Sequence, residues 1–382
     1  MPAALDEPWH DMHFRDAFLG CAVPVLTLSG FNMTRHKSWV IGILLCPLAG
    51  ALACSGTEPG DGLVPLPELV YTELDIAGDL WSIRGYTEGE GSREIAPGPS
   101  GVPRPVHDFL IVRPTTGELL YVSGLPDNPD ITGYVLLNPA TGTFSRPDIP
   151  GSVQDWSPAG DLLTTYFGGI HMVVTVEGAT RATVCEPSGY TCGAPHWAPD
   201  GNAILVHRRP PGGQADLWRV PLDGSPPINL TQTPDASEIG PSYSPDGRLI
   251  AYERQPNWEL VVAQADGSEP RPLIAPVGLG NFPWSPDGLS IAVDASVGGQ
   301  SGLVVVPTEG DPRVITPPGE TLVIVSEIAW APDGRRLAYG AFHGAASDLT
   351  GVFLINVDGS GWRQVSTPGN QASLGTWMPD LP

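Results

Sequence analysis

Lysine is almost missing from this chain. Its one copy, Lys37, lies near the N-terminus, and 19 basic residues face 42 acidic ones for a formal net charge of −23. Binding a phosphate backbone requires clustered cations, so this balance argues against nucleic acid as a partner. Long apolar runs are also scarce. The most extended, Trp39–Ala53, has 15 residues, short of the roughly 20 that a membrane-crossing helix needs. The chain contains no Gly-x-Ser-x-Gly elbow, His-Glu-x-x-His helix, phosphate loop or dinucleotide fingerprint. Those absences remove the common hydrolase, zincin and nucleotide chemistries. Glycine (47) and proline (43) are plentiful instead, as expected of many short strands joined by tight turns.

The five cysteines divide by position. Arg35, His36 and Lys37 form a basic head before the apolar run, which ends at Cys54. Residues 33–54 therefore read as a secretory signal peptide. Ala51-Leu52-Ala53-Cys54 resembles a bacterial lipobox, with Ala51 where Leu is more usual, and that resemblance implies lipidation of Cys54. Residues 1–32 match nothing downstream and read as an over-extended start or disordered segment; the alternative is a real extension with an internal anchor helix. Residues 55–67 are rich in Gly, Pro and Asp and read as a flexible tether. Cys21 and Cys46 fall in the expected leader. Cys185 and Cys192, seven apart, then suit a small disulfide loop in an oxidising compartment. A two-cysteine metal site would need further ligands, and His196 is the near candidate.

From residue 68 a five-residue phrase recurs. It is fullest in Trp284-Ser-Pro-Asp-Gly288 and returns as Trp197-Ala-Pro-Asp-Gly201, Tyr243-Ser-Pro-Asp-Gly247 and Trp330-Ala-Pro-Asp-Gly334. Weaker copies begin at Trp156 and Trp377, and the lead aromatics are spaced by 41, 46, 41, 46 and 47 residues. A fixed period of this size marks a propeller or solenoid. Pro presets the first corner of a turn and Asp-Gly supplies the positive-φ corner. Strand-like runs follow each phrase, such as Leu249–Tyr252 and then Glu259–Ala263. Four short strands per unit make a propeller blade. Phe109–Gly117 reads as a degenerate copy, while Glu68–Tyr71, Asp79–Ile83 and Ser92–Ile95 read as a blade lacking its first strand. Trp377 would supply that strand and remove the exposed edges. The expected fold is all-β: a seven-bladed, four-stranded β-propeller over residues 68–382, with six blades as the alternative.

The Trp-Ser-Pro-Asp-Gly repeats resemble the TolB-type propeller family, which includes the propellers of prolyl-oligopeptidase-type enzymes. The resemblance covers about residues 68–382 and implies the fold, including closure by a lone terminal Trp strand. TolB itself has a separate α/β domain, six blades and no lipid anchor, so a role in the Tol machinery does not follow.

Strands alternate in direction, so the first-to-second and third-to-fourth turns emerge on one face, and these are nearly uniform Pro-Asp-Gly, Asp-Gly or Glu-Gly. The phrase aspartates (Asp200, Asp246, Asp287, Asp333) read as turn stabilisers. The opposite face carries variable loops, where recognition usually resides. Arg208, Arg254, Trp258 and His343 lie in them. His196, Glu238, Asn281 and Glu327 lie where side chains can turn into the central funnel. These eight are the candidate binding residues; no catalytic residue, metal ligand or cofactor is assigned. The expected role is that of an exported, lipid-anchored, monomeric module at the bacterial envelope, gripping an envelope protein or a glycan and touching the membrane only through its lipid. The alternative is a metal-assisted polysaccharide lyase or hydrolase. That reading draws on His171, His196, His207 and His343 with Arg208 and Arg254, and requires three or more His, Asp or Glu side chains converging in the funnel.

Overall fold

The computed structural model describes residues 66–379, apart from 76–79, 97–104, 126–127, 186–188, 279–281, 318–321 and 344–349. The described residues fold as a seven-bladed β-propeller of antiparallel sheets. Blade 5 shows the plan: Ser237–Tyr243, Leu249–Gln255, Glu259–Gln264 and Arg271–Ile274 pair in sequence order from the inside outward. In blade 6 the outer strands Ser290–Val297, Gln300–Pro307 and Arg313–Val314 form the sheet. Its innermost position is held by single bridges, Trp284 to Ile291 and Val277 to Ala295. Pro283 has no N–H to give a ladder there.

The phrase builds its own turn. In 285–290, Gly288 N donates to Ser285 O at 2.8 Å with Gly288 at φ +71°. Asp287 Oδ1 takes the Leu289 N–H at 3.0 Å, and Ser285 Oγ takes that of Ser290 at 2.9 Å. Asp246 does the same for Arg248, Asp200 for Asn202 and Asp333 for Arg335. Each of these aspartates is a turn stabiliser. Blade 3 has Ala159 in that place, and Asp161 two residues on takes the Ser157 hydroxyl instead at 2.9 Å.

Alternation along the second strand sends Ile250 and Tyr252 towards blade 4 and Ala251 towards blade 6. Repeated around the ring, this gives seven hydrophobic clusters, one in each seam between neighbouring blades. The core is thus distributed between blades and leaves the axis open. Closure follows the sequence expectation. Gln371–Trp377 pairs with Leu69–Asp75, which continues to Leu80–Thr87 and Gly91–Ala96.

The seams differ in one respect. The indole N–H of Trp284 reaches Ser242 Oγ at 3.2 Å, that of Trp330 reaches Pro283 O at 3.0 Å, and that of Trp377 reaches Ala329 O at 3.0 Å. Each acceptor belongs to the residue just before the aromatic of the preceding blade. Trp156 and Trp197 occupy equivalent places, but their buried indole nitrogens have no partner among the described residues. A hydrogen bond contributes about 1 kcal/mol net, whereas a buried unpaired donor is a cost. Trp330→Phe is therefore expected to lose about 1–2 kcal/mol more stability than Trp197→Phe. Urea unfolding of the two variants checks this, and equal losses would remove the indole bonds as seam ties.

Candidate functional site

Every inner strand with described pairing is irregular near its end on the turn face. Register shifts fall between Val153 and Asp155, Gly193 and His196, Ile239 and Ser242, and Ile324 and Ile328. A bulge breaks the alternation of a strand. Two consecutive residues before each lead aromatic consequently line the axial channel, a cavity of about 560 Å³. The residues immediately before the aromatics, with Ile111 before Val112 in blade 2, form one ring: Ile111, Asp155, His196, Ser242, Pro283, Ala329 and Thr376. The next ring is Leu110, Gln154, Pro195, Pro241, Phe282, Ile328 and Gly375. Apolar, proline and glycine positions dominate. Polar chemistry gathers in blades 3, 4 and 5.

Ser242 is committed within the wall, donating to Phe282 O at 2.9 Å and receiving the Trp284 indole. Asp155 Oδ1 accepts the Trp156 N–H at 2.8 Å. Burial pushes its carboxyl up to about 6, against this backbone hydrogen bond. His196 Nδ1 lies 3.1 Å from Trp197 O, and burial holds the imidazole down at about 4, so it is neutral at pH 7. Gln154 Oε1 lies 2.9 Å from Nδ1 of the buried His171, whose Nε2 is 3.1 Å from Cys192 O. His207 is likewise held down at about 4, by burial and by Arg209 and His171. It packs so closely on Gly193 that a Cβ there would stand 2.8 Å from its ring.

The structure distributes the eight sequence-level candidates unevenly. His196 lines the channel as expected. Glu238 is buried at the loop-face end of its strand, where Thr233 donates to Oε1 at 2.5 Å and Oε2 has no hydrogen-bond partner. Burial raises its pKa. Arg208 stacks on Trp218 at 5.3 Å and donates to Val184 O, tying blade 4 to blade 3. Arg254 gives Nε and Nη2 to Glu259 Oε2 at 2.8 and 2.7 Å. Trp258 stands on the loop face, 39% exposed and at φ +58°, a region that a bulky residue occupies only when its surroundings impose it. Asn281 and the side chains of Glu327 and His343 lie outside the described residues, as does Cys54. Cys185 and Cys192 are disulfide-bonded, with Cα atoms 6.4 Å apart. Among the described residues no group of three His, Cys, Asp or Glu side chains could hold a metal ion.

Sequence reasoning missed Asp155 and the aromatics Tyr166, Phe167 and Tyr190. Asp155 had a readable signal, being the one acid in the position before a lead aromatic. The three aromatics lie on the loop face with Trp258. Tyr166 and Phe167 end a strand just before the Gly168-Gly169 hairpin, and Tyr190 precedes the inner strand of blade 4. They are 44%, 61% and 42% exposed.

No protein-family model matches the chain. It is 24% identical over 200 residues to an uncharacterised protein of Agrobacterium fabrum, covering 49% of this chain and 60% of that one. It is 29% identical over 158 residues to the uncharacterised peptidase YuxL of Bacillus subtilis, covering 39% of this chain and 23% of that one. The aligned stretches thus leave much of both relatives unmatched. Among solved structures, an oligogalacturonate lyase from Vibrio parahaemolyticus is similar at TM-score 0.56 and 14% identity, over 80% of this chain and 86% of that one. TolB from Acinetobacter baumannii is similar at TM-score 0.48 and 15% identity, over 82% and 66%. At these identities the likeness shared with the lyase is one of fold.

Asp155 makes the channel wall titrate. A carboxyl whose folded pKa is raised adds stability at low pH, and that contribution is lost as pH rises through the folded value. Asp155→Asn is therefore expected to be more stable than the wild type above pH 6, by about 1–3 kcal/mol, and equal to it below about pH 4. Melting temperatures measured from pH 3.5 to 8 decide it. A constant difference would show that Asp155 is not the group titrating.

Proposed function

We propose that the chain is an exported module, anchored at the bacterial envelope through a lipidated Cys54, that binds an envelope protein or a glycan with its loop face. The observation carrying this reading is the concentration of exposed aromatic side chains on that face. Tyr166, Phe167, Tyr190 and Trp258 project there from blades 3, 4 and 5. Burying large aromatic surfaces is favourable, and such side chains commonly anchor partners or stack on sugars. The supporting frame is rigid, because each loop springs from strands packed in two seams. The turn face has nearly uniform local hydrogen bonding, as folding alone requires.

The loop-face reading is tested with residues 55–382 immobilised against envelope extract, followed by mass spectrometry of what is retained. A partner held by the wild type should be lost from the variant Phe167→Ser, Tyr190→Ser, Trp258→Ser. Both proteins should melt at the same temperature within a few degrees. Undiminished retention by the triple variant would move binding elsewhere. The anchor is tested separately by radioactive palmitate labelling, which should be abolished in Cys54→Ala. Equal incorporation would refute lipidation at that cysteine.

A further inference from the structure

We propose that the loop-face end of the seam between blades 2 and 3 is a sugar slot. It takes one pyranose residue of an uncharged glycan against the rings of Phe109, Tyr134 and Phe167, and Thr132 and Asp148 meet the sugar's hydroxyls. This rests on the loop-face reading and gives it a ligand class. A cavity of about 420 Å³ opens here between residues 132–134 of blade 2 and the connection at 147–153 that leads the chain into blade 3. Sites for small molecules span roughly 300–1,000 Å³.

The rings are open here, unlike those inside the seams. Phe109 and Tyr134 are half-buried and meet edge to face at 6.0 Å. The Tyr134 hydroxyl donates to Gly151 O at 3.0 Å and accepts the Val153 N–H at 2.8 Å, which fixes the ring across the seam. Phe167 is 61% exposed. It lies four residues beyond Leu163, which packs with Leu120 and Leu136 of blade 2, so alternation sends it to that same side. There it flanks Gly151, where an added Cβ would stand 2.7 Å from the Phe167 Cβ. The polar side chains are free. Thr132, Asp148 and Ser152 line the cavity, are exposed, and spend no side chain on a hydrogen bond among the described residues. A pyranose presents C–H groups on its face and hydroxyls around its rim. It therefore suits aromatic faces set beside a few hydrogen-bonding groups. Other ligand classes fit less well. No lysine or arginine is among the described lining, and the net charge of −23 repels a polyanion, which disfavours an acidic glycan. An apolar peptide side chain would cover Thr132 and Asp148 without hydrogen bonds, at a desolvation cost. A metal ion would find one carboxylate in that lining, fewer oxygens than its coordination requires.

The probes are the methyl pyranosides of glucose, galactose, mannose and N-acetylglucosamine, each titrated into the full chain at pH 7 and about 0.15 M NaCl. Saturation-transfer NMR and calorimetry are the readouts. At least one sugar should bind saturably in the millimolar range, with transfer concentrated on its ring C–H protons. Its uronide, carrying a carboxylate in place of the hydroxymethyl group, should bind about tenfold more weakly. Phe167→Ser and Asp148→Ala should each weaken the preferred sugar about tenfold. The double variant Tyr190→Ser, Trp258→Ser should leave it unchanged. Melting temperatures confirm the fold of each variant. If a slot variant misfolds, the comparison of the sugar with its uronide on the wild type still decides. No saturation by any of the four up to about 50 mM, full affinity in either slot variant, or a uronide bound as tightly as the neutral sugar would each overturn the proposal. The loop-face reading survives those outcomes, because the extract experiment also reads Tyr190 and Trp258 and admits a protein partner.

Discussion

A propeller stands or falls with one strand pairing. Each blade here is held by the hydrophobic clusters on its two faces, and a ring that fails to close leaves two clusters half uncovered and two sheet edges open. The closing strand Gln371–Trp377 is accordingly tied by more than its ladder. Glu73, buried in the partner strand, takes Thr367 N at 2.9 Å and Asn370 Nδ2 at 3.1 Å, fixing the approach to the closing strand. Arg336 reaches from blade 7 to Glu68 at 2.8 Å and stacks over Trp377 at 5.0 Å. Met378 N then donates to Glu68 O at 2.8 Å just past the strand. The Arg336–Glu68 pair is only partly buried, and exposed ion pairs contribute little alone. Combined with a buried carboxylate that caps backbone and side-chain donors, it sets the register of the strand on which all seven seams rely.

The seams are not alike. From blade 5 through blade 6 and blade 7 to blade 1, each indole N–H is used across the seam. From blade 2 to blade 4 the corresponding nitrogens are buried without a partner among the described residues. In the first group the residue before the preceding aromatic supplies the acceptor, a hydroxyl from Ser242 and backbone carbonyls from Pro283 and Ala329. Blade 3 also departs at its turn, where Ala159 leaves Asp161 to do the work of the missing aspartate. Irregularities in the repeat therefore collect around the part of the ring that carries the channel's carboxylate.

Much of this was legible in the sequence. The spacing of the aromatics set the blade count, and the incomplete units at the two ends implied closure. Cys185 and Cys192 pair as their spacing suggested, and the phrase aspartates bond locally as turn residues do. What escaped was the bulge. Strict alternation would send only one of Gln154 and Asp155 to the axis, whereas the register shift sends both. The two arginine candidates illustrate another limit. Arg254 faces Glu259 across the hairpin, and a cross-strand opposite charge is the most economical partner for a loop-face arginine. Arg208 finds a ring and a carbonyl supplied by another strand and another blade, contacts that no spacing within one repeat reveals.

Two faces with different histories of constraint meet in this ring. On the turn face, backbone geometry fixes Pro, Asp and Gly in repeat after repeat, and at Gly247, Gly288 and Gly334 a Cβ would already touch the proline of the preceding phrase, as it would Pro199 at 3.6 Å from Gly247. Little there is free to vary. The position before each aromatic is different, because it keeps its place in the ladder, as Asp155 does opposite Thr164, while lining the channel. Isoleucine, aspartate, histidine, serine, proline, alanine and threonine all occur there. A position that tolerates such a range without disturbing the scaffold is where a propeller can acquire chemistry at least structural cost. That a carboxylate and a neutral imidazole stand in adjacent blades, in a ring whose other members (Ile111, Ser242, Pro283, Ala329 and Thr376) do not titrate, is then a property of the channel, independent of the turns above it and of the loops below.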